Sequence, residues 1–290
     1  DEHPEPTGFA HLFEHLMFGG SAHIPDYDTP LQLAGGENNA WTNNDITNYY
    51  LTVPKPNVET AFWLESDRML ELAFSEQSLE VQRGVVMEEF KQRCLNQPYG
   101  DVGHLFRPLA FRVHPYRWPT IGKELSHIEQ ATLDEVKSFF YRFYAPNNAV
   151  LAVTGNISWD ETVKLTEKWF APIPRRDVPV RQLPQEPEQT QERRLTVERN
   201  VPLDALFMGY HMCSREGADY YAFDILSDIL SNGRSSRLNR RLVQEQNIFS
   251  GIDAYISGTR DAGLLQISGK PAAGVSLEQA EAAVRKELEE

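Results

Sequence analysis

The chain is poor in cysteine, in positive charge and in long apolar runs, and each shortage excludes a class of protein. The two cysteines, Cys94 and Cys213, lie far apart and have no ligand spacing, so they form neither a disulfide framework nor a thiolate zinc site. Lysine and arginine number 28 against 42 aspartates and glutamates, and the net charge of −14 argues against a nucleic acid partner. No run of about 18 apolar residues occurs, so we expect no membrane-spanning helix. What remains is a globular chain of 290 residues, long enough for two ordinary domains.

The most informative segment is the pentapeptide His-Leu-Phe-Glu-His at residues 11–15. In a helix, His11 and His15 lie four residues apart on one face, so both imidazoles can approach one ion. Glu14 follows His11 by three residues, close to that ion but available for another role. Two imidazoles and a neighbouring carboxylate suit a catalytic zinc site, and H-x-x-E-H is the inverzincin signature. The alternative is an apolar helix face whose histidines bind nothing.

A catalytic zinc ion takes three protein ligands and keeps one open position, so one more ligand is needed. The sequence predicts a helix over 78–95 that contains two adjacent glutamates, Glu88 and Glu89. These point about 100° apart, so only one of them faces the metal. The inner side of this helix is predicted to consist of Val81, Val85, Val86 and Phe90. Glu89 continues the four-residue steps of Val81 and Val85, which favours it weakly, because Glu88 lies three residues after Val85 and stays an alternative.

The remaining pattern predicts helices and strands in two series with a break between them. Before the break, we expect helices over 8–18, 58–73, 101–111, 132–144 and 158–170, two strands or one bent strand over 39–53, and a strand over 149–153. After it, we expect strands over 195–201, 205–211, 249–256 and 263–269, and helices over 220–230, 236–244 and 277–290. Residues 172–191 hold five prolines without helical or strand periodicity, which is typical of a linker. The predicted organisation is therefore a zinc-bearing domain over 1–171, a linker over 172–191 and a second, related domain over 192–290.

Together, the motifs resemble the family of zinc metallopeptidases that includes pitrilysin, insulin-degrading enzyme and mitochondrial processing peptidase, and in particular its short bacterial members. The resemblance is carried by five segments of the sequence, at 8–18, 39–42, 83–89, 114–122 and 144–149. It implies an α+β fold of two related domains, each a mainly antiparallel sheet backed by helices. Because family members have further strands before the first of these segments and continue past the last residue, the fold is expected to be incomplete at both ends.

The resemblance also assigns roles to residues. It implies one Zn²⁺ per chain, held by His11, His15 and Glu89, with Glu14 as the general base that activates zinc-bound water. The substrate is expected to be held extended along a strand made of Asn39, Ala40, Trp41 and Thr42. Without the resemblance, Asn39 would be interpreted as a turn residue, since it follows two glycines.

The function implied is that of a zinc-dependent endopeptidase that hydrolyses peptides or extended polypeptide segments. The partners implied are a peptide substrate and a second family subunit, in a homodimer or a heterodimer. The alternative is a non-catalytic or partner-dependent scaffold subunit of the same family, but such subunits typically lose metal residues and this chain keeps them. One departure concerns a second glutamate that the family often carries seven residues before the ligand glutamate. That position is Gln82 here, and the nearby Glu80 lies on a different helical face.

Overall fold

The computed structural model describes residues 6–290 and divides the chain into two compact units. The first unit comprises Asp1–Asn96 and Trp118–Pro184, and the second comprises Gln97–Arg117 and Gln185–Glu290. The change from the first unit to the second after Pro184 falls within residues 172–191, which contain no helix or strand. Each unit is therefore built from two separate stretches of sequence.

The helices follow one another along the chain with short connections. In order they are α1 (Phe9–Leu16), α2 (Asp28–Leu33), α3 (Val58–Leu70), α4 (Glu76–Phe90), α5 (Val102–Ala110), α6 (Leu125–Glu129), α7 (Leu133–Phe143), α8 (Trp159–Trp169), α9 (Tyr220–Ser231) and α10 (Leu277–Glu289). Two π-helical stretches, Lys91–Leu95 and Asn239–Glu245, occupy the ends of the helices predicted over 78–95 and 236–244. Within residues 6–290 we find no helix of the length and apolarity needed to cross a bilayer.

The strands form small antiparallel sheets, in agreement with the predicted mixture of helices and antiparallel strands. In the first unit, β1 (Glu37–Thr42) pairs with β2 (Thr47–Thr52) in a hairpin, so of the two alternatives for residues 39–53 the two strands are found. In the second unit, β3 (Leu206–His211), β4 (Phe249–Ile256) and β5 (Leu264–Pro271) form a sheet in the order β3-β5-β4. Helix α9 packs against β4 of this sheet.

Two predicted strands, 149–153 and 195–201, are absent, and those predictions were wrong. Both segments are rich in β-branched residues, but neither pairs with another strand among residues 6–290. Val150, expected in a buried strand, is 95% exposed. A strand forms only where a neighbour satisfies its backbone hydrogen bonds, which local composition cannot guarantee.

Helix α1 begins where Gly8 takes a left-handed conformation, with φ of +88°. A Cβ atom at Gly8 would lie 2.8 Å from Ile128 Cδ1 and 2.9 Å from the carbonyl oxygen of Ile121, so only glycine fits. The carbonyl of Gly8 then accepts the first helical hydrogen bond, from the Leu12 amide at 3.0 Å. A tightly packed glycine therefore fixes where the helix with the two histidines starts.

The core of the first unit lies between α1, α4 and α7, and α1 contributes one whole face to it. Its buried apolar residues are Phe9, Leu12, Phe13, Leu16, Met17, Leu72, Leu79, Val86, Ile128, Ala131, Val136 and Phe140. Helix α7 is held at its start by a capping box, in which Thr132 and Glu135 satisfy each other's backbone amides. This packing holds α1 rigidly on its apolar side and leaves the side that carries His15 partly open.

The inner face of α4 differs from the prediction. Leu79, Val86 and Phe90 are buried, whereas Val81 and Val85 are 56% and 46% exposed. The buried positions are seven and four residues apart, so they follow one helical stripe. Val85 lies about 100° away from Val86 around the helix axis, which places it beside the core and not in it. Two of the four predicted inner residues are therefore on an open face.

Candidate metal centre

Helix α1 presents His11 and His15 side by side, one turn apart. Their ring centroids are 5.0 Å apart with the ring planes nearly perpendicular. His11 is buried and His15 is partly exposed, so the pair lies where the helix leaves the core. Because residues four apart share one face of a helix, both imidazoles can point to the same place.

Glu89 on α4 meets both histidines. Its Oε2 atom lies 3.4 Å from Nε2 of His11 and 3.4 Å from Nε2 of His15. Within the described part of the chain, these three residues are the group able to hold a metal ion, and their donor atoms all lie within 4.8 Å of one another. For a tetrahedral zinc ion with bonds of 2.0–2.1 Å, neighbouring donors are about 3.3 Å apart. Two imidazole nitrogens and one carboxylate oxygen at this spacing fit a zinc ion with a fourth position left open.

Burial favours the neutral form of His11, which is the form that binds a metal. Burial lowers the pKa of His11 below its usual value, and the nearby carboxylates of Glu89 and Glu14 oppose that shift only in part. A neutral imidazole offers a nitrogen lone pair to a metal, which a protonated one cannot. Nδ1 of His11 is buried without a hydrogen-bond partner among residues 6–290. The donor that converges with the other two is Nε2, so this unmatched Nδ1 lies on the far side of the ring.

Glu88 faces away from the histidines. Its side chain is 57% exposed and lies 3.8 Å from the ammonium of Lys91. The other carboxylate oxygen of Glu89, Oε1, forms an ion pair with Nη2 of Arg93 at 2.8 Å. Of the two adjacent glutamates, Glu89 is therefore the one that the helix brings to the histidines. It lies on the same face as Val81 and Val85, at four-residue steps, but these two valines are not core residues.

Glu14 lies between the two histidines in sequence and is partly exposed. Its negative charge opposes the fall in the pKa of His11 that burial causes, and it is not a member of the converging donor group. Glu80, the nearest acidic residue to Gln82, is mostly exposed and pairs with Arg83 at 2.6 Å.

The strand expected to hold substrate is β1. Asn39 and Trp41 are exposed on its outer face, while Ala40 and Thr42 point to the inner, half-buried face. Strand β2 covers one edge of β1, and across residues 6–290 no further strand covers the other. The side-chain oxygen of Asn39 accepts a hydrogen bond from the Ala40 amide at 2.8 Å. Helix α1 packs against both strands, so the open edge belongs to the same structural unit as the metal group.

Sequence reasoning missed several polar residues around the group. Arg93 holds the metal-facing glutamate, and its position four residues after Glu89 is a signal that could have identified it. The hydroxyls of Tyr49 and Tyr144 lie 2.6 Å apart beneath α1, and Arg68 is fully buried beside them. No local pattern marks these three residues, because 95 positions separate the tyrosines.

Comparison with protein families gives two matches that together cover most of the chain. Residues 1–103 match the model described as insulinase, peptidase family M16, and residues 130–290 match the model described as the peptidase M16 inactive domain. His11, Glu14, His15 and Glu89 all fall within the first of these matches.

Individual relatives agree with these matches. A zinc protease of Helicobacter pylori, PqqE, is 31% identical over 249 residues, which are 84% of this chain and 56% of that protein. The zinc protease YmxG of Bacillus subtilis is 26% identical over 270 residues, which are 92% of this chain and 64% of that protein. The chain thus spans roughly three fifths of the length of these relatives.

The fold is similar to that of solved proteins. The crystal structure of a protease from Helicobacter pylori superposes with a TM-score of 0.88 at 27% identity, covering 100% of this chain and 70% of that one. The periplasmic protease PqqL from Escherichia coli has a TM-score of 0.74 at 20% identity, over 99% of this chain and 33% of that one. At this identity, the similarity is evidence for the fold only.

Proposed function

This chain belongs to peptidase family M16, and we propose that it carries the zinc centre of a metalloendopeptidase. The observation that carries the proposal is the convergence of one carboxylate oxygen on two imidazole nitrogens, each at 3.4 Å, from two helices that are distant in sequence. The relatives named as zinc proteases support it. Because the chain spans about three fifths of their length, the proposed activity is that of the whole protein.

His11, His15 and Glu89 would hold the metal, one zinc ion per chain. When bound, zinc would supply a Lewis acid that lowers the pKa of water and polarises the scissile carbonyl. Arg93 keeps the ligand carboxylate oriented, because its guanidinium takes Oε1 and leaves Oε2 to face the histidines. The open fourth position is what separates a catalytic site from a structural one.

Glu14 is the proposed general base. Its negative charge opposes the fall in the pKa of His11 that burial causes, yet Glu14 is not one of the three converging donors, so it is free to move protons. Glu14 would accept the proton of the attacking water and pass it to the leaving amine nitrogen. A carboxylate that also bound the metal would be a poor base, which is why the two roles belong to different glutamates.

The proposed substrate is a peptide or an extended segment of a polypeptide, bound along the open edge of β1. Asn39, Ala40, Trp41 and Thr42 would offer main-chain groups to it, as in strand addition. Main-chain pairing tolerates varied side chains, so the sequence preference would be modest. Asn39 would have to release the Ala40 amide for that amide to reach a substrate carbonyl.

A scaffold role is less well supported. The model described as inactive covers residues 130–290, whereas the proposed ligands and base lie before residue 103.

The family resemblance also implies a second family subunit, and a homodimer or a heterodimer remains part of the proposal.

Metal dependence tests this proposal. The full-length protein should lose cleavage of a quenched fluorescent peptide after treatment with a zinc chelator, and regain it with about one equivalent of Zn²⁺ but not with Mg²⁺. Cleavage that survives complete removal of zinc would refute the proposed function, as would a protein that binds zinc at another site.

A further inference from the structure

Arg68 on α3 is a charged side chain buried in the first unit, with 2% of its surface exposed. Removing a guanidinium from water is costly unless partners replace its hydration. Nε and Nη2 are matched, since they donate to the carboxylate of Glu65 at 3.0 and 2.6 Å. Nη1 is buried and has no hydrogen-bond partner in the described structure. The charge is therefore only partly compensated by hydrogen bonds.

Aromatic rings supply the rest of its surroundings. The guanidinium carbon lies 5.0 Å from the ring centre of Phe18, 4.6 Å from that of Tyr27 and 4.6 Å from that of Tyr49. Cations within about 6 Å of an aromatic face are attracted to it. Tyr27 also donates a hydrogen bond to Glu65 at 2.6 Å. We call Phe18, Tyr27 and Tyr49 the aromatic cage of Arg68.

The cage joins several elements of the first unit. Phe18 follows α1 by two residues, Tyr27 immediately precedes α2, and Tyr49 belongs to β2. Arg68 itself lies near the end of α3. One buried cation therefore contacts the segment after the metal helix and the hairpin that contains the proposed substrate strand.

Tyr49 is the link between that hairpin and α1. In the strand register it lies opposite Ala40, a residue of the proposed substrate strand. Its hydroxyl lies 2.6 Å from the hydroxyl of Tyr144 and donates to the carbonyl oxygen of Phe13 at 3.5 Å. Phe13 lies between His11 and His15 in the metal helix. Because burial raises the pKa of Tyr49 and Tyr144, both hydroxyls keep their protons at neutral pH.

We propose that Arg68 is a positioning residue, which fixes the β1–β2 hairpin against α1 through Tyr49, whose ring lies against the guanidinium and whose hydroxyl donates to the carbonyl oxygen of Phe13 in α1. It thereby sets where the substrate strand lies relative to the metal ligands. This inference rests on the proposed function, because a substrate on β1 gives that placement its purpose. Replacing a whole buried ion pair by apolar residues is often neutral or stabilising, so the Arg68–Glu65 pair calls for a role beyond stability.

The test compares two variants of the cage with one control, all in the zinc-loaded protein. Arg68→Met keeps the volume and removes the charge, and Tyr49→Phe keeps the ring over Arg68 but removes the hydroxyl. The control is Phe62→Leu, since Phe62 is buried on the same helix and packs against Phe170, away from the cage. The readouts are amide hydrogen exchange of each element, the Kd for zinc, and kcat and KM for peptide cleavage.

We expect Arg68→Met to speed exchange in β1 and β2 by about tenfold or more, with β4 and β5 unchanged. Its kcat should fall about 10- to 100-fold with less than about a threefold change in KM or in the zinc Kd, because a shift of about 1 Å suffices for such a loss. Tyr49→Phe should change exchange and kcat in the same direction by a smaller factor. If Arg68→Met does not fold, Tyr49→Phe decides the question.

The positioning role would be overturned if both cage variants, Arg68→Met and Tyr49→Phe, had the same kcat as Phe62→Leu and the same amide exchange rates in β1 and β2. Failure of the proposed function gives a different result, in which the zinc-loaded wild type cleaves no peptide. In that event hydrogen exchange alone decides whether Arg68 fixes the hairpin.

Discussion

At the level of single residues, the candidate site depends on which of two adjacent glutamates of α4 faces the histidines. Glu88 and Glu89 are adjacent, yet Oε2 of Glu89 lies 3.4 Å from both histidines while Glu88 points to solvent near Lys91. Periodicity favoured Glu89 for an incomplete reason, because Val81 and Val85 were expected to face the core. They lie on an open face, so Glu89 continues a four-residue spacing that runs beside the core and not within it.

Substituting each glutamate in turn tests the third ligand. We expect Glu89→Gln to weaken zinc binding by about 100-fold or more, since removing a ligand should cost at least as much as disturbing the groups that orient one. Glu88→Gln should leave the zinc Kd within about twofold. The measurement is competition with a chromophoric chelator. If the Glu88 variant lost zinc while the Glu89 variant retained it, the ligand assignment would be wrong.

Among the elements, α4 has a buried stripe and an open stripe of side chains, and substitutions in the two stripes should differ in their effect on stability. Val86 is fully buried and Val85 is 46% exposed. Val86→Ala should lower the free energy of unfolding by about 2 kcal/mol, because it removes two buried methyl groups and leaves a cavity. Val85→Ala should change it by less than about 0.5 kcal/mol. Urea denaturation followed by tryptophan fluorescence reports on this unit, because all five tryptophans belong to it. Equal losses would mean that the two faces are assigned wrongly.

Helix α10 is tied to the segment before β3 by a charged group that responds to pH. Glu281 accepts hydrogen bonds from Arg194 at 2.8 Å and from Arg285 at 2.7 Å. The pKa of Glu281 is lowered to about 2, and the largest cause is the hydrogen bond from Arg194. A pKa below the unfolded value stabilises the folded state above about pH 4.3, and this contribution is lost as the pH falls towards 2.

We therefore expect Glu281→Gln to destabilise the second unit by about 1 kcal/mol at pH 7, a figure kept small because the arginines are largely exposed. The difference from wild type should shrink as the pH falls from 5 to 3. Hydrogen exchange of the α10 amides measures it, with Glu289→Gln, at an exposed position of the same helix, as the control. A difference that grows on acidification would contradict the ion-pair interpretation.

The elements also show what a sequence can reveal. The helix that carries the histidines was predicted over 8–18 and is found as Phe9–Leu16, because its apolar face and flanking glycines are local signals. Residues 39–53 were predicted to form two strands or one bent strand from their β-branched and aromatic residues, and two paired strands are found. The strands expected at 149–153 and 195–201 did not form, because pairing depends on a partner that the segment does not encode. Arg68 and its aromatic cage were not predicted either, since their contacts join positions from 18 to 68.

At the scale of the whole molecule, each unit combines stretches that are distant in sequence, such as Gln97–Arg117 with Gln185–Glu290. Periodicity reports on neighbours a few residues apart and is silent about such associations. The metal group likewise unites residues 11 and 15 with residue 89. A bound ion would therefore link α1 to α4 and stabilise the folded first unit against its unfolded form.

Zinc should accordingly raise the thermal stability of the first unit. At a free zinc concentration of about 100 times Kd, the stabilisation is about 2.7 kcal/mol, provided that the unfolded chain binds no zinc. Tryptophan fluorescence during a thermal scan should show a higher Tm with Zn²⁺ and a lower one after chelation. Glu89→Gln should abolish most of the difference. An equal zinc-induced shift in that variant would place the ion elsewhere.

Glu14→Gln separates the two proposed roles at the site, zinc binding by His11, His15 and Glu89 and proton transfer by Glu14. Zinc content and peptide cleavage should be measured on the same preparations of the wild type and of the variant. We predict about one zinc ion per chain in both, with cleavage by the variant reduced about 10²- to 10⁴-fold, as expected for the loss of a general base. A variant that kept its zinc and cleaved at the wild-type rate would show that Glu14 is not the general base.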